Sequence, residues 1–184
     1  MGVHTHYIYL NGMMGVGKSS VGLRAALDSQ IPFIDLDSEI EKSAGQTIST
    51  LFKSKGEAGF RKLEAQCLRS LKNEVPYVLV SVGGGAPSHY NNMSYMNDTG
   101  TTILLYLPID DIINRLKRDH SARPMLQNTK GYSFEDNLRN LYHSREKYYN
   151  QCKFTVHNKG TEQEVINKIT VLIRDIMNDK LNTN

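Results

Sequence analysis

Between Leu10 and Ser20 the sequence LNGMMGVGKSS sets three glycines and a lysine directly after the apolar run YIYL. Gly12, Gly17, Lys18 and Ser19 meet the spacing G-x-x-x-x-G-K-[ST], with a strand-like run before it and a helix-like run after it. Glycines let a backbone close on a phosphate chain. The amides of Gly15, Val16, Gly17, Lys18, Ser19 and Ser20 then converge on anionic oxygens, helped by the positive end of a helix starting near Lys18. Lys18 reaches the β and γ phosphates, and the Ser19 hydroxyl can ligate Mg²⁺. A chance glycine turn is the weaker explanation in this setting. Nucleoside triphosphate binding follows, while the acceptor stays open among water, a protein and a small alcohol.

Further chemistry-bearing residues cluster in three short segments. FIDLDSEIE places Asp35 and Asp37 two residues apart at the end of an apolar run, hence on one face of an extended chain. One carboxylate would steady the metal or its waters, and the other would hold the acceptor hydroxyl and take its proton. The pair could equally cap the next helix, with Asp37 preceding SEIEK. GEAGFRKLE sets Arg61 beside Phe60 on the first turns of a helix, where the planar guanidinium could take a carboxylate bidentately. An ion pair with Glu57 or Glu64 is the plainer use of Arg61. GGGAP, Gly83 to Pro87, suggests backbone pressed against a ligand, or else a tight turn before a helix. No acidic residue follows this third apolar run, so Asp35 would have to serve the metal.

These residues need a scaffold. Continuous apolar runs at YIYL from Tyr7, FIDL from Phe33, YVLVSV from Tyr77, TILLYL from Thr102 and FTV from Phe154 alternate with helix-like stretches. That is the pattern of a parallel α/β sheet covered on both faces. EQEVINKITVLIRDIM carries Val165, Ile166, Ile169, Val171, Leu172, Ile173 and Ile176 near helical spacing, as a helix packed on the sheet would. At 184 residues the chain suits one domain, with a candidate lid at about 118–133 and a frayed tail at about 178–184. Lys and Arg total 22 against 19 Asp and Glu, a net charge of +3 that does not argue for nucleic acid. Cys67 and Cys152 match neither a zinc spacing nor a disulfide framework, which fits a reducing compartment. No apolar run approaches the roughly 18 residues of a membrane span, and no leader is evident, so the expectation is a cytoplasmic protein without a membrane partner. The six histidines form no metal spacing and read as surface or loop residues.

Taken together, GMMGVGKSS, FIDLDSEIE, GEAGFRKLE, GGGAP, RPML and REKYY, in this order over nearly the whole chain, resemble the shikimate kinase family. The resemblance implies a three-layer P-loop kinase fold, with a five-stranded parallel sheet flanked by helices and a mobile lid. It implies ATP-dependent, Mg²⁺-assisted phosphorylation of the 3-hydroxyl of shikimate, on the route to chorismate and aromatic amino acids; a monomer is the expectation, though no residue pattern reveals the oligomeric state. Lys18 and Ser19 become phosphate and metal residues, Asp35 supports the metal, and Asp37 matches the aspartate on the shikimate hydroxyls. Arg61 and Arg145 match the clamp on the shikimate carboxylate, Gly83, Gly84 and Gly85 match the glycines against the ring, and Arg123 matches the lid arginine over ATP. Met125 departs mildly from the usual RPLL. Without the resemblance, Arg145 would read as a helical charge paired with Glu146. Arg115 and Arg118 are weaker candidates for adenine or phosphate contacts, and NQCKFTVHNKGT leaves base recognition undefined. A gluconate-type kinase would keep Lys18 and Asp37 but need no arginine pair, and a regulatory module without catalysis would lack lid or acceptor residues.

Overall fold

The computed structural model describes residues 4–118 and 133–181, so the lid candidate Arg123 lies outside the described residues. Each apolar run becomes a strand: β1 His6–Asn11, β2 Phe33–Asp35, β3 Tyr77–Ser81, β4 Gly100–Tyr106 and β5 Phe154–His157. They form one parallel sheet in the order β2-β3-β1-β4-β5. The connections carry α1 Lys18–Asp28, α2 Leu36–Ala44, α3 Ile48–Ser70, α4 Asn92–Thr99, α5 Ile109–Arg118, α6 Phe134–Tyr149 and α7 Glu162–Leu181, with a short 3-10 turn at Ala86–Ser88.

Alternation along the central strands sorts the core into two layers. Ile8, Leu10, Leu79, Ile103 and Leu105 meet Val21, Ala25, Ile112, Val165, Ile169 and Ile173, from α1, α5 and α7. Tyr9, Val78 and Val80 face the other way, onto Leu36, Ile40, Leu51, Phe60, Leu68 and Met96 from α2, α3 and α4. Both faces of the sheet are thus covered, which explains why its strands read as continuous apolar runs.

Two elements depart from the sequence expectations, α7 and His6, and a third, α3, follows them. On α7, Val171 is exposed and Leu172 only half-buried, and the helix runs to Leu181, past the proposed start of a frayed tail. His6 is buried rather than superficial, its Nε2 lying 2.9 Å from Thr101 Oγ1. α3 is interrupted at Gly56, whose φ of 66° and ψ of −179° suit only glycine, so GEAGFRKLE opens a new helical segment as expected. Among the described residues no helix is long and apolar enough to cross a membrane.

Candidate active site

β1 is the strand from which the sheet order grows in both directions, and ligands of open parallel sheets sit beyond the carboxyl ends at such a point. The glycine-rich loop emerges there. Gly12, Gly15 and Gly17 take φ of 145°, 78° and 90°, values that side chains resist. Gly17 is the N-cap of α1 without a capping side chain, and the first turn of α1 holds no acidic residue, so its positive end is not offset by the helix itself. Lys18 Nζ donates to the carbonyls of Gly12 at 2.9 Å and Met13 at 3.1 Å.

β2 brings the carboxylates in, though not as an extended pair. Asp35 ends the strand and caps α2, its Oδ1 accepting from the Ser38 amide at 3.3 Å. Asp37 already lies in the first helical turn, so the capping role the sequence offers to Asp37 belongs to Asp35. The reason is that an aspartate at a strand end can accept an orphan helix amide while keeping extended φ and ψ. Asp35 still faces the loop, since Ser19 Oγ donates to its Oδ2 at 2.5 Å. A cleft of about 340 Å³ is lined by Met14, Gly15, Gly17, Lys18, Ser19, Ser20, Asp35, Asp37, Gly83 and Gly84, among others.

The three glycines after β3 each answer to a different neighbour. A Cβ on Gly83 would stand 2.7 Å from Glu64 Oε1 and 3.2 Å from Asp37 Oδ1. On Gly84 it would stand 3.0 Å from the Met14 amide nitrogen and 3.2 Å from the Gly12 carbonyl. On Gly85 it would stand 2.5 Å from Arg61 Cζ and 2.7 Å from Nη1. The segment is therefore the seam between the phosphate loop, the Asp37–Glu64 carboxylates and the Arg61 guanidinium.

Arg61 is 5 % exposed and forms the ion pairs that its sequence neighbours allow: Nη1 donates to Glu64 at 2.9 Å and Nη2 to Glu57 at 3.4 Å. Its guanidinium lies over the rings of Phe60 and Phe52. Two polar atoms of this pair, Arg61 Nε and Glu64 Oε1, are buried without a partner among the described residues. Burial pushes the Glu64 carboxyl up to about 7, although Arg61 pulls the other way. Arg145, from α6, is 3 % exposed, with Nη1 3.8 Å from Met13 Sδ. Burial lowers its pKa, Tyr149 works against that, and the charge of Arg61 adds to it. Glu146, the partner Arg145 would have as a plain helical charge, lies instead 3.7 Å from His143 Nδ1. Arg61, paired with Glu64 and Glu57, and Arg145 are thus both buried near one another, and their charges oppose each other, an arrangement that an anionic ligand would relieve.

Of the candidate residues, those of the phosphate loop, Asp35, Asp37, Gly83 and Gly84 line one cleft. Val16, Gly85, Arg61 and Arg145 do not line it: Val16 is buried within the loop, Arg61 packs against Gly85, and Arg145 is buried beside Met13. Arg115 and Arg118 stand in the last turn of α5. Among the described residues no group of three or more His, Cys, Asp or Glu is arranged for a metal. Two participants escaped the sequence reading. Tyr149 donates to the Gly84 carbonyl at 2.6 Å, its hydroxyl pushed up to about 12 by burial. Asn158 donates to the Val16 carbonyl at 2.7 Å. These contacts bridge distant parts of the chain, so no local pattern announces them.

Comparison with known proteins agrees with this geometry. The family model described as shikimate kinase matches residues 14–174. Shikimate kinase of Bacteroides thetaiotaomicron is 39 % identical over 147 residues, 80 % of this chain and 83 % of that protein. A solved shikimate kinase from Acinetobacter baumannii, in complex with shikimate, superposes with a TM-score of 0.80 at 35 % identity, covering 93 % of this chain and 94 % of that one. A gluconokinase from Sinorhizobium meliloti shares the fold, with a TM-score of 0.62 at 16 % identity and 99 % coverage of both chains.

Proposed function

The chain belongs to the shikimate kinase family, and on that premise we propose how its residues move the γ-phosphoryl group of ATP to the 3-hydroxyl of shikimate, giving shikimate 3-phosphate and ADP. The product feeds chorismate and aromatic amino acid synthesis. The observation that carries the reading is the meeting of a phosphate loop with two buried guanidinium groups, Arg61 across the glycine seam and Arg145 against Met13. A phosphate chain and a carboxylate are the two anionic ends of this reaction's substrates, and the chain offers a separate receptor for each.

The amides of Gly15 to Ser20 receive the phosphates, and Lys18 exchanges its contacts with the Gly12 and Met13 carbonyls for β and γ oxygens. Ser19 and Asp35, already in contact, are the hard oxygen donors that would hold Mg²⁺, a cation that takes one or two protein oxygens beside water and phosphate. When bound, that ion neutralises charge on the transferring group. Asp37 orients the acceptor hydroxyl and takes its proton. Arg61 and Arg145 hold the acid, with Glu64 and Glu57 fixing Arg61. Arg123, outside the described residues, is assigned by the family resemblance to close over ATP, where such an arginine contributes on the order of a thousandfold in rate.

The test is ADP release, followed with a coupled assay in Mg²⁺ and ATP. ADP should form only when shikimate is added, and gluconate should not replace it. Equal release with and without shikimate would refute the proposal in favour of a hydrolase.

A further inference from the structure

Asn158 plays no part in the mechanism above, yet it touches the phosphate loop. It follows β5, is 8 % exposed, and its Nδ2 donates to the Val16 carbonyl at 2.7 Å. Only the amide nitrogen can serve there, because a carbonyl oxygen has no proton to give to another. The Asn158 main chain is itself fixed. Its N–H donates to Tyr106 O at 2.8 Å, and the Lys159 amide donates to His157 O at 2.9 Å. Two residues further on, Thr161 and Glu164 exchange side-chain bonds with each other's amides at 2.7 and 3.2 Å where α7 begins.

The Val16 carbonyl shares one peptide plane with the Gly17 amide. No peptide bond among the described residues is cis, and in a trans peptide the C=O and N–H point in opposite directions. A carbonyl held outward on Asn158 therefore turns the Gly17 N–H inward, toward the face where the loop receives phosphate. The backbone alone does not enforce this. Gly17 sits at φ 90°, and glycine tolerates both orientations of the preceding peptide at little cost.

We propose that Asn158 is a positioning residue for the nucleotide, locking the Val16–Gly17 peptide in its phosphate-receiving orientation from the opposite end of the chain. This inference rests on the reading that Gly15 to Ser20 bind the phosphates of ATP. The test is equilibrium binding of ADP with Mg²⁺ by calorimetry on the full chain, its Asn158→Ala and Asn158→Asp variants, and Lys18→Ala. Shikimate affinity and thermal melting are followed in parallel. Asn158→Ala should weaken ADP about tenfold, the scale of a buried carbonyl losing its donor, with shikimate affinity within about twofold. Asn158→Asp keeps the shape but loses the donor and adds an anion, so it should bind ADP no better than the alanine variant. It also keeps the test available should the truncation not fold. If Lys18→Ala weakens ADP while both Asn158 variants bind it like the parent, the inference falls and the phosphate-loop reading stands. If Asn158→Asp binds ADP normally and only the alanine variant suffers, Asn158 acts by packing and the inference also falls. If Lys18→Ala leaves ADP binding intact, the phosphate-loop reading fails and takes the inference with it.

Discussion

Gly85→Ala tests with one carbon atom the half of the site proposed to bind the acid. Gly85 lies at φ −93° and ψ −16°, a conformation any residue adopts, so the substitution introduces no backbone strain. What it introduces is a clash. The new Cβ would lie 2.5 Å from Arg61 Cζ, where ordinary contact begins near 3.4 Å, and its three nearest atoms all belong to the Arg61 guanidinium. The deficit, 3.4 minus 2.5, is about 0.9 Å. The end of a surface arginine would swing away, but this one is 5 % exposed, bonded to Glu64 at 2.9 Å and Glu57 at 3.4 Å, and stacked 5.2 Å from the centre of the Phe60 ring. Either the guanidinium or the glycine seam must give by roughly 1 Å, and a misplacement of that size costs on the order of a hundredfold. We therefore expect kcat/KM for shikimate to fall about a hundredfold, or about 2.7 kcal/mol, while KM for ATP stays within about twofold. Steady-state ADP release with each substrate varied in turn provides the assay, with thermal melting to verify folding. A folded Gly85→Ala enzyme with unchanged kcat/KM for shikimate would show that Arg61 does not carry the acid.

Three other outcomes follow from the same geometry. Arg61→Lys keeps the charge but loses the planar fork, so KM for shikimate should rise about tenfold or more with ATP affinity nearly unchanged, and a parallel loss of ATP binding would mark Arg61 as structural. Asp37→Asn should lower kcat by about a hundredfold or more with a smaller change in KM, as loss of a general base does; a change confined to KM would reduce Asp37 to a binding group. Glu64→Gln addresses pH. Burial holds the Glu64 carboxyl up to about 7 against an ordinary 4.5, so between these values the folded chain binds more protons than the unfolded one. Its contribution to stability is full below about pH 4.5 and is lost as pH rises toward 7. Melting temperature measured across that window should decline less steeply in Glu64→Gln, and an identical slope would mean that Glu64 is ionised throughout.

The parts of the site that were legible in the sequence are those written contiguously. The phosphate loop is a fixed spacing between a strand and a helix, and all five strands were visible because a sheet buried on both faces leaves uninterrupted apolar runs. Sheet order and the second face of each contact were not. Asp35 and Asp37 read as one extended face, because nothing in FIDLDSEIE marks the residue at which the chain turns helical; the cap at Asp35 decides it. Arg61 carried two readings, clamp and ion pair, and the ion pairs with Glu57 and Glu64 are formed around a guanidinium too buried to be an ordinary surface charge. The glycines of GGGAP signalled close approach, but only the packed structure says that Gly85 yields to Arg61 and Gly84 to the phosphate loop. Tyr149 and Asn158 act on carbonyls far away in sequence, where periodicity and motif have no reach.

The central claim is that a carboxylate is gripped by Arg61 and Arg145 while a phosphate chain occupies the loop before Lys18. A crystal structure of the protein with shikimate, Mg²⁺ and a non-hydrolysable ATP analogue tests it directly. Both guanidinium groups should lie within about 3 Å of the shikimate carboxylate, with the acceptor hydroxyl beside Asp37. Shikimate bound with its carboxylate elsewhere, and both arginines turned away from it, would contradict the account.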